Sequence, residues 1–136
     1  MQVALDPEFS VRNELVSINK TYNLDFSYKI IDQAILYFSL SNDVVDLVNG
    51  FSTDSKIIKY DLTILKDDKK ALPSYVSAPI VREEVIQKFP QVVLELKKLD
   101  GKITNQKIKQ LNYLADEKKQ KVYDIAYAFL KSEKLL

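Results

Sequence analysis

An α/β layer with a mostly parallel sheet, followed by a helical segment, is the fold class this sequence predicts. Three observations carry that reading. Strand-like and helix-like runs alternate in the order strand–helix–strand–helix–strand over residues 1–76, the signature of parallel strands joined by crossover helices. Beyond residue 76 the apolar residues keep helical spacing only. The charge turns over at the same place: residues 1–76 carry 8 basic and 11 acidic side chains, a balance of −3, while residues 77–136 carry 12 and 8, a balance of +4.

The elements follow in order. Gln2–Leu5 reads as a strand, Asp6-Pro7 turns the chain, and Ser10 is positioned to cap a helix running to Tyr22, with Val11, Leu15 and Ile18 as its apolar stripe. Leu24–Ile31 reads as a second strand with Phe26, Tyr28 and Ile30 on one face. Asp32 caps the next helix, Gln33–Leu40, whose face is Ile35, Leu36 and Phe38; Ser41-Asn42-Asp43 is a turn in which Asn42 can take the left-handed conformation. Val44–Val48 is a β-branched run typical of a buried strand, broken by Asn49-Gly50. Leu62–Leu65 is a further strand, closed by the turn Lys66-Asp67-Asp68-Lys69. Four helices follow: Val81–Phe89, stopped by Pro90; Gln91–Leu99, ended by Gly101; Asn105–Asp116, capped by Thr104; and Gln120–Ser132.

Composition removes whole classes of chemistry. The 136 residues contain no His, no Cys and no Trp, and only two Gly, where average usage would give about nine or ten. Triads, thiol nucleophiles, disulfides and most zinc sites need the absent residues. Two isolated glycines, Gly50 and Gly101, cannot make a phosphate-cradling loop. A net charge of +1 marks neither a nucleic-acid nor a membrane-surface protein. The first 30 residues are studded with charges and hold no apolar signal core, and no run approaches the length of a membrane span.

Carboxylates are the remaining acid–base candidates, and their settings are bland. Asp67-Asp68 lies between lysines and reads as a solvated turn. Glu83-Glu84 suits a helix's first turn. Asp6 and Glu8 lack the ligand run of a calcium loop. The lysines at 97, 98, 107, 109, 118, 119 and 121 interleave with Ile103, Ile108, Leu111 and Leu114 and read as solvated faces of amphipathic helices. No catalytic residue, no metal ligand and no cofactor is therefore expected.

Eight Tyr and six Phe are more informative. Phe26, Phe38, Phe89, Tyr123, Tyr127 and Phe129 fit core stripes. Phe51, after Asn49-Gly50, and Tyr75, in Pro73-Ser74-Tyr75, do not. In an open α/β sheet ligands bind beyond the carboxyl ends of the strands. On pattern alone these two read equally well as ligand contacts or as ordinary loop aromatics.

The run Gly50-Phe51-Ser52-Thr53-Asp54, Tyr60-Asp61-Leu62, Leu65-Lys66-Asp67-Asp68-Lys69 and Pro73-Ser74-Tyr75-Val76-Ser77-Ala78-Pro79-Ile80-Val81-Arg82-Glu83-Glu84 resembles the substrate-binding proteins of ABC importers for osmoprotectants. The likeness continues through Leu99-Asp100-Gly101-Lys102-Ile103-Thr104 and Leu111-Asn112-Tyr113 to Phe129-Leu130-Lys131. It starts at Pro7-Glu8-Phe9 with Arg12.

That resemblance implies a periplasmic-binding-protein-like (type II) lobe and a protein that captures glycine betaine, choline or carnitine. Delivery is to an ABC permease membrane subunit, in an extracytoplasmic location, with no chemistry performed. It makes residues 1–76 the second lobe and residues 77–136 the helices that return to a first lobe whose N-terminal half is absent here. The family's aromatic cage maps onto Phe51 and Tyr75, and its carboxylate-binding arginine onto Arg12. Many relatives have Tyr at the Phe51 position, Pro-Pro-Tyr at Pro73-Ser74-Tyr75, and a Gly in the Ser41-Asn42-Asp43 turn. The same lobes also suit a ligand-sensing regulatory module. The faces Val92/Leu96 and Ile108/Leu111 are expected to need cover, by folding back on the lobe or by a homodimer or swapped assembly.

Overall fold

A computed structural model describes residues 1–136. The chain divides into two compact units, Met1–Ser74 and Tyr75–Leu136.

The first unit is a small parallel sheet with helices on both faces. Its elements are β1 (Val3–Leu5), a 3-10 turn (Phe9–Val11), α1 (Asn13–Tyr22), β2 (Tyr28–Ile30), α2 (Gln33–Ser41), β3 (Leu47–Val48) and α3 (Ser55–Lys59). Strand order is β2-β1-β3, and both pairings are parallel. Val3 pairs with Tyr28 on one side and with Leu47 on the other. The central strand is the most buried element, with Val3, Ala4 and Leu5 almost wholly enclosed.

Two cores follow from the pleat, which sends alternate side chains to opposite faces. Val3 and Leu5 pack with Leu15 of α1, backed by Phe9, Phe26 and Leu47. Ala4 packs with Leu36 of α2 and with Val45, backed by Ile31, Leu40 and Val48. Right-handed crossovers explain why α1 and α2 take opposite faces. One connection runs outward from β1 to β2, and the next runs back past β1 to β3.

Several boundaries differ from the expectation, each for a local reason. Ser10 does not cap α1; its hydroxyl bonds the Pro7 carbonyl at 2.8 Å, and Arg12 occupies the N-cap position. No side chain caps α1; Asp6 instead holds the start of the preceding 3-10 turn, accepting the Phe9 N–H at 2.8 Å. The extra 3-10 turn rotates Val11 off the apolar stripe and leaves it exposed.

The expected strand Leu24–Ile31 shrinks to three residues, because its only neighbour offers three to pair with. Of the expected face, Tyr28 and Ile30 are exposed and only Phe26 is half-buried. Likewise Val44–Val48 reduces to Leu47–Val48, with Val45 buried and Val44 exposed.

Asp32 caps α2 through the Ala34 N–H at 2.8 Å, as expected. The buried face of α2, however, is Leu36, Tyr37 and Ser39; Ile35 and Phe38 point outward. In the following turn Asp43, not Asn42, takes the left-handed conformation. No strand forms at Leu62–Leu65, where Ile64 and Leu65 are exposed and pair with no strand of the sheet. The short helix α3 stands earlier in the chain instead, with Ile57 as its buried apolar residue.

Asp67 is not simply solvated. Its carboxylate accepts the Tyr22 hydroxyl at 2.6 Å and the N–H groups of Ala71 and Leu72 at 2.9 and 2.8 Å. The Ser17 hydroxyl donates to the Ala71 carbonyl at 2.7 Å. Residues 67–72 are thereby stapled to α1. The bond from Tyr22 and the two N–H groups outweigh burial and hold Asp67 below its ordinary value. Burial and the Asp67 bond push the Tyr22 phenol up to about 12.

The second unit contains α4 (Glu83–Lys88), α5 (Gln91–Lys97), α6 (Asn105–Asp116) and α7 (Val122–Ser132). Pro90 stands at the N-cap of α5 and Gly101 is left-handed. Thr104 caps α6 through the Lys107 N–H at 3.1 Å. Helices α6 and α7 pack together, with Ile125 and Phe129 buried. An ion pair at 3.1 Å joins Lys102 to Glu133. Val92, Leu96, Ile108 and Leu111 are half-buried.

Of the aromatics expected in cores, Phe129 is buried, but Phe38, Phe89, Tyr123 and Tyr127 are exposed. Tyr123 and Tyr127 stack on each other one helical turn apart. No helix of the chain is long and apolar enough to cross a membrane.

Two outcomes follow. Leu36→Ala should cost about 2–5 kcal/mol in urea unfolding, and a loss under 1 kcal/mol would show that the α2 core is not packed as described. The stabilisation from Asp67, whose folded value is depressed, is present above the ordinary carboxylate value of about 4 and is lost as pH falls through the depressed value. Asp67→Asn should therefore lower the melting temperature at neutral pH and converge on the parent in acid. A gap that stays constant between pH 7 and pH 3 would contradict this.

Candidate ligand-binding site at the carboxyl end of the sheet

Because β1 and β3 are parallel neighbours, the loops leaving them emerge on the same side of the sheet. One loop runs from Asp6 to Arg12, the other from Asn49 to Asp54. They are tied together: the Asp6 N–H donates to Asn49 Oδ1 at 2.9 Å, and Asn49 Nδ2 donates back to Asp6 Oδ2. Burial raises the Asp6 carboxyl, but the Asn49 amide, the Phe9 and Glu8 N–H groups and the Arg12 charge together hold it below its ordinary value.

Arg12 sits at the head of α1 with its side chain one-third exposed. Its guanidinium pairs with Glu8 through Nη2 and lies 3.7 Å from Glu14 through Nη1. The fork is thus placed at the sheet's carboxyl end and set among carboxylates of its own loop and helix.

Phe51 sits in the second loop, half-exposed. Its backbone is gripped by Asp54 at both ends. The Phe51 N–H donates to Asp54 Oδ2 at 3.1 Å, and the Asp54 N–H donates to the Phe51 carbonyl at 3.0 Å. The same Oδ2 accepts the Tyr37 hydroxyl at 2.6 Å. Tyr37 is buried on α2, and burial with the Asp54 bond holds its phenol well above the ordinary tyrosine value.

The structure therefore brings two of the three expected residues, Arg12 and Phe51, onto adjoining loops. Tyr75 is the first residue of the second unit and is exposed. Asn49, Tyr37 and Asp54 were not singled out by the sequence. One signal was available: Gly50 is one of only two glycines, and a methyl group built on it would overlap the Tyr37 phenol, with Cζ at 2.8 Å. No group of three or more Asp or Glu side chains converges so as to hold a metal. An exposed aromatic ring and a guanidinium fork on a fixed platform can clasp a ligand that is cationic at one end and anionic at the other.

Known proteins point the same way. Residues 3–132 match the substrate binding domain of the ABC-type glycine betaine transport system. A carnitine transport binding protein of Listeria monocytogenes is 36% identical over 116 residues, covering 84% of this chain and 37% of that protein. An ergothioneine transport permease/ergothioneine binding protein of Helicobacter pylori is 32% identical over 123 residues, covering 90% and 22%. The crystal structure of a glycine betaine/carnitine/choline ABC transporter superposes with a TM-score of 0.86 at 30% identity, covering 99% of this chain and 50% of the other. The chain spans half or less of the length of these proteins. Its parallel sheet and trailing helices are those of a substrate-binding protein, the fold class expected from the sequence. This chain belongs to the family of substrate binding domains of ABC-type glycine betaine transport systems.

Proposed function

We propose that this chain is part of the solute-binding component of an ABC importer and that it captures quaternary ammonium osmoprotectants such as glycine betaine, carnitine and choline for delivery to a membrane permease outside the cytoplasm. The observation that carries this is the half-exposed Phe51 ring, held by its backbone beside the loop of Arg12 at the carboxyl end of the sheet. A trimethylammonium group has no N–H, so hydrogen bonds cannot select it. Aromatic faces can, at about 0.5–2 kcal/mol per contact and more when water is excluded. Arg12 offers a fork that fits a carboxylate. Tyr75 enters the cage on the resemblance alone.

The relatives' ligands share this chemistry: carnitine, glycine betaine and ergothioneine each join a trimethylammonium to a carboxylate. Choline lacks the carboxylate. Phe51 keeps the π face while lacking a hydroxyl to position against the ligand. The same reading makes residues 1–76 the second lobe of a two-lobed binding protein and residues 77–136 the helices that return to the first. The matched relatives are transport binding proteins and not enzymes, and no observation favours the sensor reading over transport.

Titration calorimetry on the full-length gene product tests the proposal. Phe51→Ala and Tyr75→Ala should each weaken glycine betaine, carnitine and choline by about one to two decades. Undiminished affinity for all three ligands would remove that residue from the cage. Arg12→Ala should weaken glycine betaine and carnitine more than choline. Equal losses for the three would make Arg12 a structural residue of the α1 head.

A further inference from the structure

We propose that Tyr37 and Asp54 are positioning residues that set the Phe51 ring for its cation, and that Gly50 supplies the space their bond requires. The proposal rests on the reading of Phe51 as a ligand contact and deepens it.

Three facts converge on this loop. Asp54 holds Phe51 at both backbone groups, through Oδ2 at 3.1 Å and through its own N–H at 3.0 Å. Tyr37 holds Asp54 from inside the protein, donating to that same Oδ2 at 2.6 Å. It is itself immobilised on α2 beside Leu36, at 6% exposure against 1%. The phenol also fills the volume that a side chain at residue 50 would need. A chain of contacts thus runs from the α2 core through a phenol and a carboxylate to the residue that carries the ring.

That chain answers a particular difficulty. A cation–π contact depends on where the ring lies, and Phe51 has no hydroxyl with which to fix itself. Half-exposed on a loop, the ring would have to be ordered on binding, at a cost to affinity. Holding its backbone beforehand removes part of that cost. Burial and the Asp54 bond hold the Tyr37 phenol well above the ordinary tyrosine value, so it remains a donor to Asp54 at physiological pH.

The test uses Tyr37→Phe in the full-length gene product, which deletes one oxygen and keeps the packed ring. Without ligand, hydrogen exchange of the Phe51 amide should accelerate at least several-fold, while amides of β1 and the Leu36 turn keep their protection. With ligand, Kd for glycine betaine and for choline should rise by a similar factor, about three- to tenfold, since the loss acts on the ammonium half that both share. In a Phe51→Leu background the same substitution should add almost nothing, because the ring it positions is gone.

Gly50→Ala is the second variant. It should accelerate the same amide by displacing the phenol.

Unchanged exchange at Phe51 in Tyr37→Phe overturns the proposal. So does a lowered melting temperature with unchanged Kd, or a loss that adds in full to Phe51→Leu. If the unmodified protein binds neither ligand, the reading of function fails, while the exchange measurement still decides whether Tyr37 and Asp54 hold the loop.

Discussion

The mouth of the sheet depends on one exchange of hydrogen bonds, between the Asp6 N–H and carboxylate and the Asn49 side-chain amide. The strands themselves are short: three residues in β1 and two in β3. A ladder that small specifies little beyond its own register. The Asp6–Asn49 pair extends it by one rung made of side chains, just where the backbones diverge. The other carboxylate oxygen of Asp6 then starts the 3-10 turn through Phe9. Moving that pair would shift the origin of the Arg12 loop and of the Phe51 loop together.

Charge at this end of the sheet is arranged with economy. Arg12 is compensated within its own segment by Glu8 and Glu14, so the loop carries no isolated cation that would repel an ammonium group at short range. Under the proposed function, a ligand carboxylate would replace Glu8 at the fork, exchanging one charge-assisted bond for another. A ligand without a carboxylate can leave the pair undisturbed.

The sequence was most legible where local chemistry and fold agreed. Asp32 and Thr104 cap the helices they precede, because an N-cap acts over two or three residues. The apolar periodicity located β1, α1, α2, α6 and α7. It failed where a partner set the outcome. Leu62–Leu65 has strand-like composition, but it pairs with neither edge of the sheet. Ile35 and Phe38 look like a helix face, yet the packing of Leu36 against Ala4 turns them to solvent. Phe51 and Tyr75 stood out as aromatics off any stripe, and their proposed role rests on the resemblance. Their support was hidden, since nothing local joins Tyr37 to Asp54 across 17 positions or Tyr22 to Asp67 across 45.

Those two tyrosines have an optical consequence. The chain has eight Tyr and no Trp, so no indole drains or masks tyrosine emission. A phenol tied to a carboxylate emits weakly beside one that faces water. Tyr22 and Tyr37 are both tied in this way, at 2.6 Å each, whereas Tyr123 is largely exposed. Loss of either tether would brighten the protein without any added dye, and the chain carries a built-in reporter on the loop before Tyr75 and on the loop that holds Phe51.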